Sequence, residues 1–105
     1  MIDPREVETH AINLGGAGVF TKAAVAGQRW SLIYMVLSAS AVASSFVIGS
    51  GGTPVTGIVP LPANLPQELG DGTTEILGAI ADNQTLTLTA GAADVDGWLQ
   101  VVMLR

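Results

Sequence analysis

Glycine and proline interrupt this chain so often that several long helices cannot fit. They fall at Gly15, Gly16, Gly18, Gly27, Gly49, Gly51, Gly52, Gly57, Pro60, Pro62, Pro66, Gly70, Gly72, Gly91 and Gly97, among thirteen glycines and five prolines in 105 residues. Short apolar runs separated by turn signals every ten residues or so are the mark of an all-β sandwich or barrel. The clearest run is "QTLTLTA", where Leu86 and Leu88 alternate with Thr85, Thr87 and Thr89. Leucines on one side and β-branched threonines on the other suit a half-buried strand. Further strands are expected at Thr9 to Leu14, Trp30 to Ser38, Ser44 to Ile48, Val55 to Val59, Thr73 to Leu77 and Gly97 to Leu104. The expected fold is therefore an antiparallel β-sandwich or jelly roll of about seven or eight short strands. A polar arm over residues 1–10 precedes a single domain over residues 11–105, a length suited to one modest core.

One stretch resists this reading. From Trp30 to Ile48, "WSLIYMVLSASAVASSFVI" carries no charge and has about the length of a membrane-spanning helix. Its middle, "SASAVASS", has no bulky apolar residue except Val42, and the loop sequence "GSGGTP" follows at once. Two strands joined through a bend, close to a hairpin, fit better than a bilayer helix. As a strand, Trp30 to Ser38 is apolar on both sides by strict alternation. Trp30, Leu32, Tyr34 and Val36 fall on one side, Ile33, Met35 and Leu37 on the other. The last strand repeats this, with Trp98, Val102 and Leu104 opposed by Leu99, Val101 and Met103. Antiparallel sheets commonly keep one wet face, so a second dry face needs a cover. An oligomer interface provides it, with Trp30, Tyr34, Met35, Trp98 and Met103 as candidates. A long loop or the N-terminal arm is the other cover to test.

Charge points the same way. Charged residues make up only 12 % of the chain, about half the usual share. A surface so poor in charge is expected to touch another protein or lipid. Net charge is −5 and the four basic residues are scattered, which argues against nucleic-acid binding. With no cysteine there is no thiolate nucleophile and no disulfide framework. His10 is the single histidine and reads as a surface or packing residue. "DVDG" at Asp94 to Gly97 begins like a calcium loop but lacks the later ligands, so a turn into the last strand is expected. "GDG" at Gly70 to Gly72 explains itself as a tight turn. Trp30 and Trp98, flanked by core-like residues, are both expected to be buried. No catalytic, metal or cofactor site is expected, and no enzyme.

From about Ala11 to Leu104 the order of elements resembles small phage virion proteins with a jelly-roll or related sandwich fold. The apolar strands in "RWSLIYMVLSASAVASSFVIGSGGTPVTG" lead to a proline-bounded link, "IVPLPANLPQ". Then follow "TTEILGAI" and "DNQTLTLTAGAADVDGWLQVVML". The resemblance implies a capsid decoration or cement protein on the virion surface, commonly a trimer, bound to a major capsid protein or another virion protein. It equally accommodates a receptor- or carbohydrate-binding knob on a fibre or tail. The arm, through Ile2, Pro4, Arg5 and Val7, is expected to clasp the capsid or a neighbouring copy.

Overall fold

A computed structural model describes residues 7–72 and 84–104. The described chain is all-β, and the strands fall in nine segments. β1 is Val7–Leu14, β2 Val19–Lys22, β3 Arg29–Ala39, β4 Ser44–Ser50 and β5 Thr53–Pro54. β6 is Val59–Leu61, β7 Gln67–Gly70, β8 Leu86–Ala90 and β9 Val95–Leu104. Every ladder between them is antiparallel.

The ladders are nested. β1 pairs with β9, β2 with β8, β3 with β7, and β4 with both β5 and β6. A chain paired this way is one long hairpin. It then rolls on itself, because β9 also pairs with β3 and β8 with β4. The outcome is two sheets, β1-β9-β3-β7 (sheet A) and β2-β8-β4-β5 (sheet B), with β6 on β4. With β5 and β6 counted as one interrupted strand, this is an eight-stranded jelly roll, an architecture built from two Greek keys.

The stretch from Trp30 to Ile48 is thus two strands, and no described helix is long and apolar enough to cross a membrane. It is not a hairpin, however. β3 lies in sheet A and β4 in sheet B, so residues 40–43 carry the chain from one layer to the other. The real hairpin comes next, where Ser50 pairs with Thr53 across Gly51 and Gly52. Gly51 sits at φ +63°, a left-handed conformation that glycine adopts without strain.

The core lies between the sheets. Leu86 and Leu88 point into it as their alternation requires, beside Phe46 and Ile48 of β4. Sheet A contributes Ile12, Trp30, Leu32, Met35, Leu37, Val95, Leu99 and Val101. In β3 this set breaks strict alternation. The register with β9 jumps between Leu32 and Tyr34, leaving Ile33 as the extra residue of a β-bulge. The bulge reverses the phase, so Trp30 and Leu32 on one side of it face the same core as Met35 and Leu37 on the other.

Several strands begin or end differently from expectation. β1 starts at Val7, so the last four residues of the expected arm belong to sheet A. Val55 to Val59 is not one strand; β5 precedes it and β6 begins at its end. β9 starts at Val95, two residues before the expected strand from Gly97, so Asp96 lies inside the strand rather than in a turn before it. β2 and β7 were not legible in advance. The expected strand Thr73 to Leu77 lies outside the described residues, as do Ile2, Pro4 and Arg5 of the arm.

Candidate functional site

The outer face of sheet A is organised in rows across its strands. Outward residues of β9 are Asp96, Trp98, Gln100 and Val102, because Val95, Leu99 and Val101 are taken by the core. Through the register, Trp98 lies between Ala11 of β1 and Val36 of β3. Gln100 lies between Thr9 and Tyr34, and Asp96 between Asn13 and Ser38. Tyr34 and Trp98, diagonal neighbours on β3 and β9, stack with ring centroids 4.9 Å apart and planes tilted by 39°. Such a pair adds roughly 0.5–1.5 kcal/mol beyond the area it buries. The Tyr34 hydroxyl donates to the Glu68 carboxylate on β7. That bond pushes the phenol above its ordinary range, since a phenolate would face a carboxylate. Gln100 donates to the Thr9 hydroxyl at 3.3 Å. Trp98 remains 38 % exposed at the middle of this face.

Of the five interface candidates, the structure places only Tyr34 and Trp98 on this outer face. Trp30 and Met35 are buried in the core, and Met103 packs against it. The inner dry face of β3 and β9 is therefore covered by sheet B, within one chain. Trp98 departs from the burial expected of both tryptophans, whereas Trp30 follows it. Part of the outer side is closed as well. Ser31, Ile33 and Val102 are fully buried although they stand outside the core cluster. What remains open is the patch of Trp98, Tyr34 and Val36. Val7, the described residue of the expected clasp, is half-buried and paired with Val102.

A second polar cluster bridges the two sheets through side chains of β1 and β2. The Glu8 carboxylate accepts from Lys22 Nζ at 3.0 Å and contacts His10 Nε2 at 3.0 Å. Lys22 Nζ also stands 4.5 Å from the centroid of Trp30, whose indole N–H donates to the Ala23 carbonyl at 2.9 Å. His10 packs on Phe20 with ring centroids 5.4 Å apart. The lone histidine is thus a packing residue with one acidic neighbour. Chiefly through the bond from Lys22, and through His10, the Glu8 carboxyl is held below its ordinary value. Its ionised form is favoured by folding, so the contribution is present above the ordinary carboxylate pKa and is lost as pH falls through the depressed one. Glu8→Gln is expected to reduce the drop in urea midpoint between neutral pH and about pH 3. Superimposable pH profiles for the two proteins would show that the cluster contributes nothing to folding.

The outer face of sheet B is different in character. Thr87, Thr89, Thr53, Val47, Pro54, Gly49, Gly51 and Gly52 line an open depression of about 270 Å³ without a charged group. No catalytic constellation gathers there. Asp94 is exposed on the approach to β9 and Asp96 is half-buried within it. Among the described residues no group of three or more His, Cys, Asp or Glu side chains converges as a metal site would require. Near the Gly70 to Gly72 turn, Glu68 is engaged by Tyr34, and Glu75 lies outside the described residues. In comparisons with known proteins, the chain matches no family model and no curated protein is significantly similar to it.

Proposed function

We propose that this chain is a non-enzymatic structural protein of a phage particle, decorating the capsid and stabilising it as a cement protein. The observation that carries the reading is the exposed Trp98, stacked on Tyr34 and flanked by Val36, in the centre of sheet A. Aromatic residues of this kind are the usual anchors of protein interfaces. The polar rim of Glu68, Gln100, Thr9 and Asn13 suits a contact that is wet at its margin. A chain with 12 % charged residues is suited to a life against other proteins. Viral capsid proteins are among the hosts of the jelly roll, although the fold alone leaves function open. A protein that engages only the assembled shell stabilises it by mass action.

The test is localisation followed by depletion. Density or antibody label is expected at capsid joints of the phage that encodes the chain. Particles lacking it are expected to release their contents at lower temperature. Adding back the Trp98→Arg variant should fail to restore stability, provided the variant folds. Absence of the chain from purified particles would end the proposal.

The same patch favours one second reading, a glycan-binding knob on a fibre or tail. An exposed indole beside carboxylate and amide groups is suited to stacking on a sugar ring while hydroxyls are bonded at the side. Glycan-array binding abolished by Trp98→Ala, with label at the tail tip, would decide for the knob.

A further inference from the structure

Among the described residues each sheet of this sandwich has two edges, and three of the four are blunted. β7 has four residues, is preceded by Pro66, ends in Gly70 and is followed by Asp71 and Gly72. The β5 and β6 edge is broken into two short pieces holding Pro54 and Pro60. β2 has four residues, ends in Lys22, and is preceded by a glycine-rich turn. Prolines, lysines and short length are the means by which proteins keep sheet edges from pairing with other chains. β1 is neither short nor interrupted by proline or lysine, and its one charged group, Glu8, is neutralised by Lys22 of β2. It runs for eight residues without proline, lysine or arginine, and its ladder with β9 holds one continuous register. Among the described residues its other side pairs with no strand.

We propose that the free edge of β1 is a docking edge for a second copy of this chain. Two β1 strands pair antiparallel across a two-fold axis centred on Ala11 and join two A sheets into one of eight strands. A two-fold contact is self-complementary, so one open edge per chain suffices. The rows of the outer face select the register. With Ala11 opposite Ala11, the row Val36, Trp98, Ala11 continues into Ala11, Trp98, Val36 of the second copy. Thr9 then meets Asn13, a polar pair beside polar rows. On the inner side Glu8 meets Leu14 and His10 meets Ile12, so no like charges stand opposite each other. Thr9, Ala11 and Asn13 are all exposed in the single chain, and the Thr9 hydroxyl, which accepts from Gln100, still has its own hydrogen to donate. The dimer also sets two Trp98–Tyr34 patches on the same side of one continuous sheet, which strengthens any docking through that face by avidity. The two-fold contact differs from the threefold assembly that the resemblance to phage proteins implies. It stands independently of which particle the protein serves.

The experiment uses the full chain in analytical ultracentrifugation, together with cysteine cross-linking, which the absence of native cysteine makes clean. A concentration-dependent dimer is expected. Ala11→Lys places two cations face to face on the axis and should weaken it by about ten-fold or more, with an unchanged far-UV spectrum. Opposed residues lie within reach of a disulfide. Ala11→Cys should therefore cross-link to itself under mild oxidation, whereas Thr9→Cys and Asn13→Cys should cross-link only when mixed. A monomer at all concentrations overturns the proposal, and so does a trimer or dimer indifferent to Ala11→Lys. Monomeric Ala11→Lys that still binds particles would support the edge as the dimer contact and separate it from capsid docking. Intact dimers absent from particles would instead remove the capsid role and leave the edge standing.

Discussion

Gly97→Ala is expected to destabilise the protein by about 3 kcal/mol or more, a large share of the roughly 5–15 kcal/mol that holds a domain of this kind together. Gly97 occupies the middle of sheet A, paired with Ile12 on one side and Leu37 on the other. Its φ of +144° lies where side-chain-bearing residues are strained. A Cβ there would also collide with the carbonyl oxygen of Val36, and would stand 2.9 Å from its carbon and 3.1 Å from Leu37 Cα. Those are backbone atoms of the neighbouring strand, so relief requires β3 and β9 to separate. Backbone strain costs about 1–3 kcal/mol and overpacking about 1–3 kcal/mol more. The melting temperature should fall by on the order of 15 °C. A change of less than about 0.5 kcal/mol, within the range of ordinary surface substitutions, would show that the strands do not approach so closely.

The two tryptophans should behave oppositely. Trp30 is 4 % exposed, fills the core, and is fixed by its bond to Ala23 and by Lys22 over its ring. Trp30→Ala removes all three and should cost about 3–5 kcal/mol. Trp98→Ala loses mainly the stack on Tyr34, about 0.5–1.5 kcal/mol, and should act on association rather than on folding. Because these are the only tryptophans, fluorescence separates them without ambiguity. Trp98→Phe should leave blue-shifted emission that acrylamide quenches poorly, and Trp30→Phe should leave the reverse. Equal quenching in both variants would mean that the burial of the two rings has been misassigned.

The candidate patch was half legible. Tyr34 and Trp98 stand out in the sequence because aromatics are few, and β9's alternation correctly sets Trp98 against Leu99 and Val101. The same alternation carried through β3 puts Tyr34 on the side of Trp30, and that fails. Nothing in "WSLIYMVL" announces the extra residue at Ile33, because a bulge is a mismatch between two strands and the partner, β9, lies more than sixty residues away. Trp30, Met35 and Met103 were assigned to an interface for the same reason. A run apolar on both sides shows that each face is dry, but not whether sheet B or another protein covers it.

Local chemistry was sufficient for the all-β class, the Leu86 and Leu88 face, and the glycine turn after Ser50. Each depends on steric preferences or two-residue periodicity within a few neighbouring residues. Tertiary structure alone decided the crossing from β3 to β4 between layers, and the recruitment of Val19–Lys22 and Gln67–Gly70 as strands. It also decided that Gly97 is paired on both sides, with Ile12 and Leu37. Four-residue strands have too little pattern to be seen and are held as strands by the ladders of β8 and β3. The free edge of β1 belongs to the same class: an edge exists only once the other strands have chosen their partners.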